Sequence, residues 1–219
     1  MNLTIAEEDY IKGIYHLQQE NSVVTTNLLA NELQTKPASV TDMMLKLQSK
    51  NLIDYERYKG FKLNINGNKV ALNIIRRHRL WEYFLVNKLG FAWDEVHPIA
   101  EELEHVSSTT LIDKLDKYLE HPQIDPHGDP IPDEKGKIIE IKQISLFDIE
   151  EGKMVTVSSV SNQTPEMLEL LRHYKIGIGT ALKITKRFEF DGSLELTISK
   201  KNTCIISGLV AKNIFVHHG

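Results

Sequence analysis

Residues 96–106, VHPIAEELEHV, place His97, Glu101, Glu104 and His105 at spacings close to one helical turn. At 3.6 residues per turn these four fall within about 100° of arc, with Glu102 further round. A helix here would present imidazoles and carboxylates together on one face, with Val96, Ile99, Leu103 and Val106 as its apolar stripe. A solvated helix with local Glu–His pairs has the same appearance. The stretch RRHRLWEYFL, residues 76–85, adds His78 and Glu82 at i, i+4. Two successive helices that each offer His and Glu form a constellation able to hold a transition metal.

The helices that would position these groups belong to a chain of 219 residues, 41% of them hydrophobic, enough for two or three small globular domains. The net charge of −4 excludes a strongly basic nucleic-acid binder, but the charge is segregated. Lys+Arg against Asp+Glu number 8 and 8 over residues 1–72, 9 and 16 over 73–150, and 9 and 6 over 151–219, so the parts carry 0, −7 and +3. An acidic middle suits a cation site and equally an ordinary acidic surface. The single cysteine, Cys204, has no disulfide partner within the chain and reads as a small apolar residue in a strand. The start, MNLTIAEEDY, lacks the basic and apolar segments of a signal peptide, and no apolar run reaches roughly 18 residues. A cytoplasmic protein that does not enter a membrane is expected. Residues 121–137, HPQIDPHGDPIPDEKGK, hold four prolines and two glycines and read as a linker. Their His121, Asp125, His127 and Asp129 are explained by turn chemistry rather than ligation.

The first part has a definite order. A helix over about 5–19 precedes TTNLLANEL, a short helix capped by Thr26 or Asn27 with Leu28, Leu29 and Leu33 apolar. A tight turn over Gln34–Lys36 leads to PASVTDMMLKLQSK, where Pro37 opens a helix and Val40, Met43, Met44 and Leu47 form its apolar stripe. Ala38, Asp42, Leu45 and Ser49 lie opposite, flanked by Ser39, Thr41 and Lys46. Then Ile53, Tyr55 and Arg57 alternate, followed by Phe61, Leu63 and Ile65, around a turn containing Gly60, as in a two-stranded hairpin. This is the order of a winged helix-turn-helix, although small αβ units that never touch DNA share it. Lys36, Pro37, Ala38, Ser39, Thr41, Asp42 and Lys46 would face the groove, and Arg57, Lys59 and Lys62 on the wing would meet phosphates.

A winged helix followed by RHRLWEYFL, VHPIAEELEHV and HGDPIP resembles the metal-dependent repressors of the diphtheria toxin repressor and manganese transport regulator family, over essentially the whole chain. The resemblance implies a homodimer built through the middle helices, a transition-metal effector, binding to a palindromic operator in double-stranded DNA, and repression of metal-uptake genes. It also implies that EEDYIKGIY supplies a ligand at Asp9, a residue whose spacing otherwise marks only a first-turn acid favoured by the helix dipole. The implied main site is Asp9, Glu101, Glu104 and His105, and a second site is His78, Glu82 and His97. In three-domain members the C-terminal domain contributes to the second site, and SNQTPEMLELL resembles the contributing stretch, with Gln163 and Glu166 at the matching positions in exchanged order. A short helix begun by Thr164 and Pro165, with Glu166 at its positive end, explains that stretch equally. Lys12 stands where the compact manganese-type members carry a glutamate ligand, so their two-metal cluster does not transfer unchanged.

The expected fold is mainly α with a β-rich C-terminal domain: a winged helix-turn-helix over 1–72, a helical metal-binding and dimerisation domain over 73–140, and an SH3-like, FeoA-like small β-barrel over 141–219. Strands are expected in MVTVSSV, TALKITKRF and SLELTIS, with Gly177, Gly179, Gly192 and Gly208 at turns. The family's iron-responsive members use sulfur ligands where this chain has Asp9 and Glu101. Carboxylates with one imidazole favour harder ions, so Mn(II) is expected first and Fe(II) second, with Zn(II) or Co(II) substituting in vitro. No HExxH helix or other hydrolase signature is present, so an enzyme is not expected. A winged-helix regulator answering to another ligand is the alternative reading.

Overall fold

The computed structural model describes residues 3–20, 23–56, 60–106, 108–199 and 202–218. Contacts divide the chain into two compact units. The first takes the chain up to His78, with Glu101–Ile112 and Pro132–Lys137; the second takes Arg79–Ala100, Asp113–Ile131 and the chain from Ile138 onward.

In the first unit, helix α1 (Ile5–Glu20) opens with a reciprocal cap. Thr4 Oγ1 accepts from the Glu7 backbone N–H at 3.3 Å, and Glu7 Oε2 accepts from the Thr4 N–H at 2.8 Å. Helix α2 (Thr26–Glu32) is capped by Thr25, one residue before the expected Thr26 or Asn27, because Thr25 keeps an extended backbone and its hydroxyl accepts from Leu28 N–H. Gln34 turns the chain with φ of 49°. Helix α3 (Pro37–Ser49) then starts at Pro37, whose missing N–H costs nothing in a first turn. Val40, Met44 and Leu47 are fully buried and Met43 partly so, as the stripe predicts. Strands β1 (Ile53–Glu56) and β2 (Gly60–Leu63) pair antiparallel with Tyr55 opposite Phe61. Phe61 also exchanges both backbone hydrogen bonds with Val24, which fastens the wing to the segment before α2. Ile65 departs from expectation: it begins helix α4 (Ile65–Leu89) and is exposed, because Asn64 Oδ1 accepts from the N–H groups of Asn66 and Gly67 and caps a helix there.

Helix α5 (Val96–Leu103) is shorter than the periodic pattern suggests, and Glu104 and His105 lie in the turn beyond it. The buried positions are Val96, Ala100 and Glu104, whereas Ile99 and Leu103 are only partly covered and Val106 is exposed. A carboxylate therefore takes a place that the apolar stripe was expected to fill. Helix α6 (Thr109–Tyr118) follows.

In the second unit, strands β3 (Ile144–Ser145), β4 (Met154–Val160), β5 (Ala181–Arg187), β6 (Leu194–Ile198), β7 (Asn202–Ile206) and β8 (Ile214–His218) form one antiparallel sheet in the order β3-β8-β4-β5-β6-β7. The three expected strands are β4, β5 and β6. Helices α7 (Pro165–His173) and α8 (Gly208–Lys212) belong to the same unit. Its core joins Val155, Val157 and Val160 of β4 to Leu168 and Leu171 of α7 and to Leu182, Ile184, Leu194 and Leu196. Cys204 is half-buried on β7, and burial pushes its thiol pKa up, consistent with an inert side chain.

The 121–131 part of the expected linker is built into this unit. Asp125 Oδ1 accepts from the N–H groups of His127 and Asp129, and the Val160 N–H donates to the His127 carbonyl. Gly128 has φ of +89°, and a Cβ there would lie 1.9 Å from the Ser158 carbonyl oxygen. Proline and glycine here make a tight buried turn, not a solvated tether. Among the described residues, no helix is long and apolar enough to cross a membrane. Gly128→Ala is expected to destabilise the second unit by about 2 kcal/mol or more, through left-handed backbone strain and that carbonyl contact. Thermal and urea unfolding would measure it, and an unchanged midpoint would contradict the packing described.

Candidate metal centre

Three consecutive residues of α1, Glu7, Glu8 and Asp9, each reach a different part of the first unit. Glu8 forms an ion pair with Arg77 of α4 at 2.8 Å through Oε1. Through Oε2 it lies 2.8 Å from His105 Nδ1. A carboxylate only accepts, so Nδ1 donates to Glu8, and Nε2 is the ring nitrogen left for a cation. That Nε2 lies 3.2 Å from Asp9 Oδ1. This carboxylate–imidazole arrangement is the usual way a protein orients a ligating histidine. The role of Glu8 escapes sequence reasoning, because its partner lies 97 residues away.

Glu104 is the centre of the group. Its side chain is 0% exposed, its Oε2 lies 2.6 Å from both His78 Nδ1 and Lys12 Nζ, and its Oε1 is buried with no hydrogen-bond partner. Burial pushes the Glu104 pKa up, but the His78 hydrogen bond and the Lys12 charge outweigh it and leave the carboxyl below its ordinary range. Glu104 is thus an anion with one satisfied oxygen and one unsatisfied oxygen. Asp9, Glu104 and His105 each offer a ligand atom within 4.8 Å of the others. The unpartnered Oε1, the presented Nε2 and a nearby carboxylate fit a divalent cation. The pKa of Asp9 is raised, first by burial and then by Glu101 and Glu104, against the lowering effects of His105 and Lys12. Glu101, expected as a fourth ligand, instead puts Oε1 2.7 Å from Lys12 Nζ.

Of the second expected set, His78 contacts Glu104 and Lys12 in the first unit. In the second unit, Glu82 is 1% exposed and lies between two imidazoles, with Oε1 3.3 Å from His97 Nδ1 and Oε2 3.6 Å from His127 Nδ1. His127 is fully buried, stacks on Trp93 at 5.8 Å between centroids, and donates from Nε2 to the Trp93 carbonyl at 2.8 Å. Its Nδ1 faces Glu82 and Asp125 with the Glu82 carboxylate 3.6 Å away. Glu82, Asp125 and His127 therefore form another buried group with ligand atoms within 4.8 Å. Burial pushes the Asp125 pKa up, reinforced by Asp129 and Glu82. For His127 burial acts downward, but the hydrogen bond and charge of Glu82 and the charge of Asp125 prevail and raise the pKa. Arg79 holds the turn through Asp129 at 3.2 Å and Asp125 at 3.5 Å. Gln163 Nε2 donates to Asp129 Oδ2 at 2.9 Å, and Glu166 is exposed in the first turn of α7. The sequence reading set Asp125 and His127 aside as turn residues; they are turn residues whose side chains also converge with Glu82. His121 pairs instead with Asp116 at 2.8 Å.

On α3 the groove-facing residues Pro37, Ala38, Ser39 and Asp42 are exposed, as is Lys36 before them, and Thr41 is half-buried, its hydroxyl donating to the Pro37 carbonyl. Lys62 is exposed on β2, opposite Asp54. Arg57 and Lys59 lie outside the described residues. Lys46 is exposed, but its Nζ lies 3.2 Å from Glu7 Oε1, beside the 2.6 Å pair of Lys50 with the same oxygen.

Three family models match the chain: the N-terminal DNA-binding domain of iron-dependent repressors over residues 2–61, their metal-binding and dimerisation domain over 65–133, and the FeoA domain over 144–218. The HTH-type transcriptional regulator MntR of Oceanobacillus iheyensis is 35% identical over 112 residues, covering 51% of this chain and 76% of that protein. The iron-dependent repressor IdeR of Mycobacterium leprae is 30% identical over 131 residues, 60% of this chain, and the match spans 57% of that protein's length. A solved manganese-dependent transcriptional repressor in complex with manganese superposes with a TM-score of 0.86 at 34% identity, covering 97% of this chain and all of its own.

The link from α1 to α3 has a pH signature. Burial raises the Glu7 pKa, but Lys50, the Thr4 backbone N–H and Lys46 outweigh it and hold the carboxyl at about 2 against an ordinary 4.5. Between those values the unfolded chain binds the proton that the folded one refuses, so stability from Glu7 is present above 4.5 and lost as pH falls toward 2. Urea unfolding across that window should fall less steeply for Glu7→Gln than for the parent. Parallel curves would show that Lys46 and Lys50 do not stabilise the Glu7 carboxylate.

Proposed function

The chain belongs to the family of metal-dependent, DNA-binding repressors whose domains it carries in order, and from that membership we propose that it is a cytoplasmic homodimeric regulator that represses metal-uptake genes when loaded with Mn(II). The observation that carries this reading is the Asp9, Glu104 and His105 group with its unpartnered buried Glu104 oxygen, in the same unit as the exposed start of α3. Asp9, Glu104 and His105 would hold the cation, Glu101 would join them, and Glu8 orients His105. Glu82, Asp125 and His127 are the ligands we assign to a second position, with His97 and Gln163 beside it through Glu82 and Asp129. A bound divalent ion supplies positive charge where three carboxylates meet, and supplies no reaction: the chain is read as a regulator and not an enzyme.

The carboxylate-rich set favours Mn(II), then Fe(II), over softer ions, although Zn(II) and Co(II) bind such sites tightly in vitro. The manganese complex of a relative supports Mn(II) as an ion of such sites. Asp9 stands on α1 and Glu104 and His105 follow α5, so a shared cation restrains α1 against α5. Through Glu7, α1 is tied to Lys46 and Lys50 at the end of α3. Restraint of α1 therefore orients the exposed residues of α3. In a dimer whose two copies of α3 sit about 34 Å apart, one helical turn of DNA, this orientation selects a palindrome. Coupling is reciprocal, so operator DNA must tighten metal binding by the factor by which metal tightens DNA binding. The functional segments are taken as 1–72 for DNA, 73–140 for metal and dimerisation, and 141–219 for the FeoA-like part.

The test is operator binding by parent, Glu104→Gln and His105→Ala, with the operator first selected from random DNA by the Mn(II)-loaded parent. Mn(II) should strengthen parent binding at least about tenfold and should leave both variants, still dimeric, at their chelator level. Equal stimulation in the variants would overturn the ligand assignment. Lys62→Ala should weaken binding to all sequences alike and reduce the slope of log affinity against log salt by about one, because a phosphate contact carries no base information. A loss confined to one base position would contradict the wing assignment.

A further inference from the structure

Lys12 is an ammonium placed among groups that bind cations. It lies one turn after Asp9 on α1 and its side chain is 11% exposed. Nζ donates to Glu101 Oε1 at 2.7 Å and to Glu104 Oε2 at 2.6 Å, with His78 Nδ1 at 3.3 Å. His78 Nδ1 gives its hydrogen to Glu104 at 2.6 Å, so the ammonium's strong bonds are the two carboxylates. Glu101 and Glu104 are thereby treated differently. Glu104 gives one oxygen to Lys12 and His78 and keeps the other buried and unpartnered, while Glu101 gives its Oε1 to Lys12.

We propose that Lys12 is the residue that sets the metal threshold: a tethered cation that holds Glu101 and must give it up for Glu101 to coordinate. The inference rests on the proposed metal site and concerns how tightly that site binds. Asp9, Glu101 and Glu104 bring three negative charges and Lys12 brings one positive, leaving two, which one divalent ion neutralises. Without Lys12 the same ligands would carry three, and Glu101 would enter the coordination shell without an ammonium to give up. The ammonium thus lowers affinity twice, by charge and by competition, so that the site fills only when the ion is abundant. It also keeps Glu101 and Glu104 from repelling each other when the ion is scarce.

Lys12→Met, of similar length and neutral, separates this role from a merely structural one. Calorimetry on the full chain with Mn(II) comes first: an absence of binding in the parent would sink the metal-site reading itself, independently of Lys12. Given parent binding, Lys12→Met should bind Mn(II) about tenfold tighter or more and should melt earlier than the parent in chelator. With Glu101→Gln as background, the competition part of that gain should vanish and only the smaller part due to charge should remain. Affinity that is unchanged or weaker in Lys12→Met would overturn the proposal, as would a full gain that persists without Glu101. If Lys12→Met does not fold, Lys12→Gln serves the same comparison. In the parent chain, the Lys12 side-chain nitrogen resonance should shift as Cd(II) is added; a resonance unmoved at saturation would also overturn it.

Discussion

A carboxylate buried without full compensation governs the arrangement of the first unit. Glu104 is 0% exposed, and an isolated carboxylate in such a place costs several kcal/mol unless cations or donors surround it. His78 from α4 and Lys12 from α1 satisfy one oxygen, which fixes where those helices stand relative to the turn after α5. The other oxygen is left unmatched. A structure that spends packing on an unsatisfied anion keeps free energy available for a cation. That reserve makes metal binding and the positions of α1, α4 and α5 parts of one equilibrium.

Helix α1 distributes the consequences. Near its start it carries the cap and ion-pair acid Glu7, the histidine-orienting Glu8, the candidate ligand Asp9 and the ammonium Lys12. These residues contact α3, α4, α5 and the turn after it. A helix so connected cannot shift at Asp9 without loading the Glu7 contact at the end of α3. In the proposed regulator, sensing and DNA reading would be coupled through rigid elements and ion pairs, with no flexible relay required.

The histidines repeat one device. Glu8 takes the Nδ1 proton of His105, and the Trp93 carbonyl takes the Nε2 proton of His127, so in each ring the other nitrogen faces carboxylates. The acidity of the chain's middle part, which could have been surface charge, is partly buried at Glu82, Glu104 and Asp125. Burial raises the charge density available to a cation and excludes competing water.

The sequence by itself determined the order of elements and the family. Apolar spacing marked α1 and α3, strand-like runs marked β4 to β6, and His and Glu at helical spacing marked the ligand-bearing stretch, because these signals are local and survive in any fold the chain adopts. It also carried Asp9, but only through likeness to relatives, since an acid in a first turn has an ordinary local explanation. Tertiary structure alone decided that α5 ends at Leu103, that Glu104 is buried where an apolar stripe was expected, and that Lys12 holds Glu101. It alone turned a stretch of prolines and glycines into a buried turn that brings Asp125 and His127 to Glu82. Burial, tautomer and ion pairing are set by partners from 26 to 97 residues away in the first unit, such as His78 with Glu104 and Glu8 with His105. No periodicity encodes such distances, because the field at a side chain is made by the groups that folding brings to it.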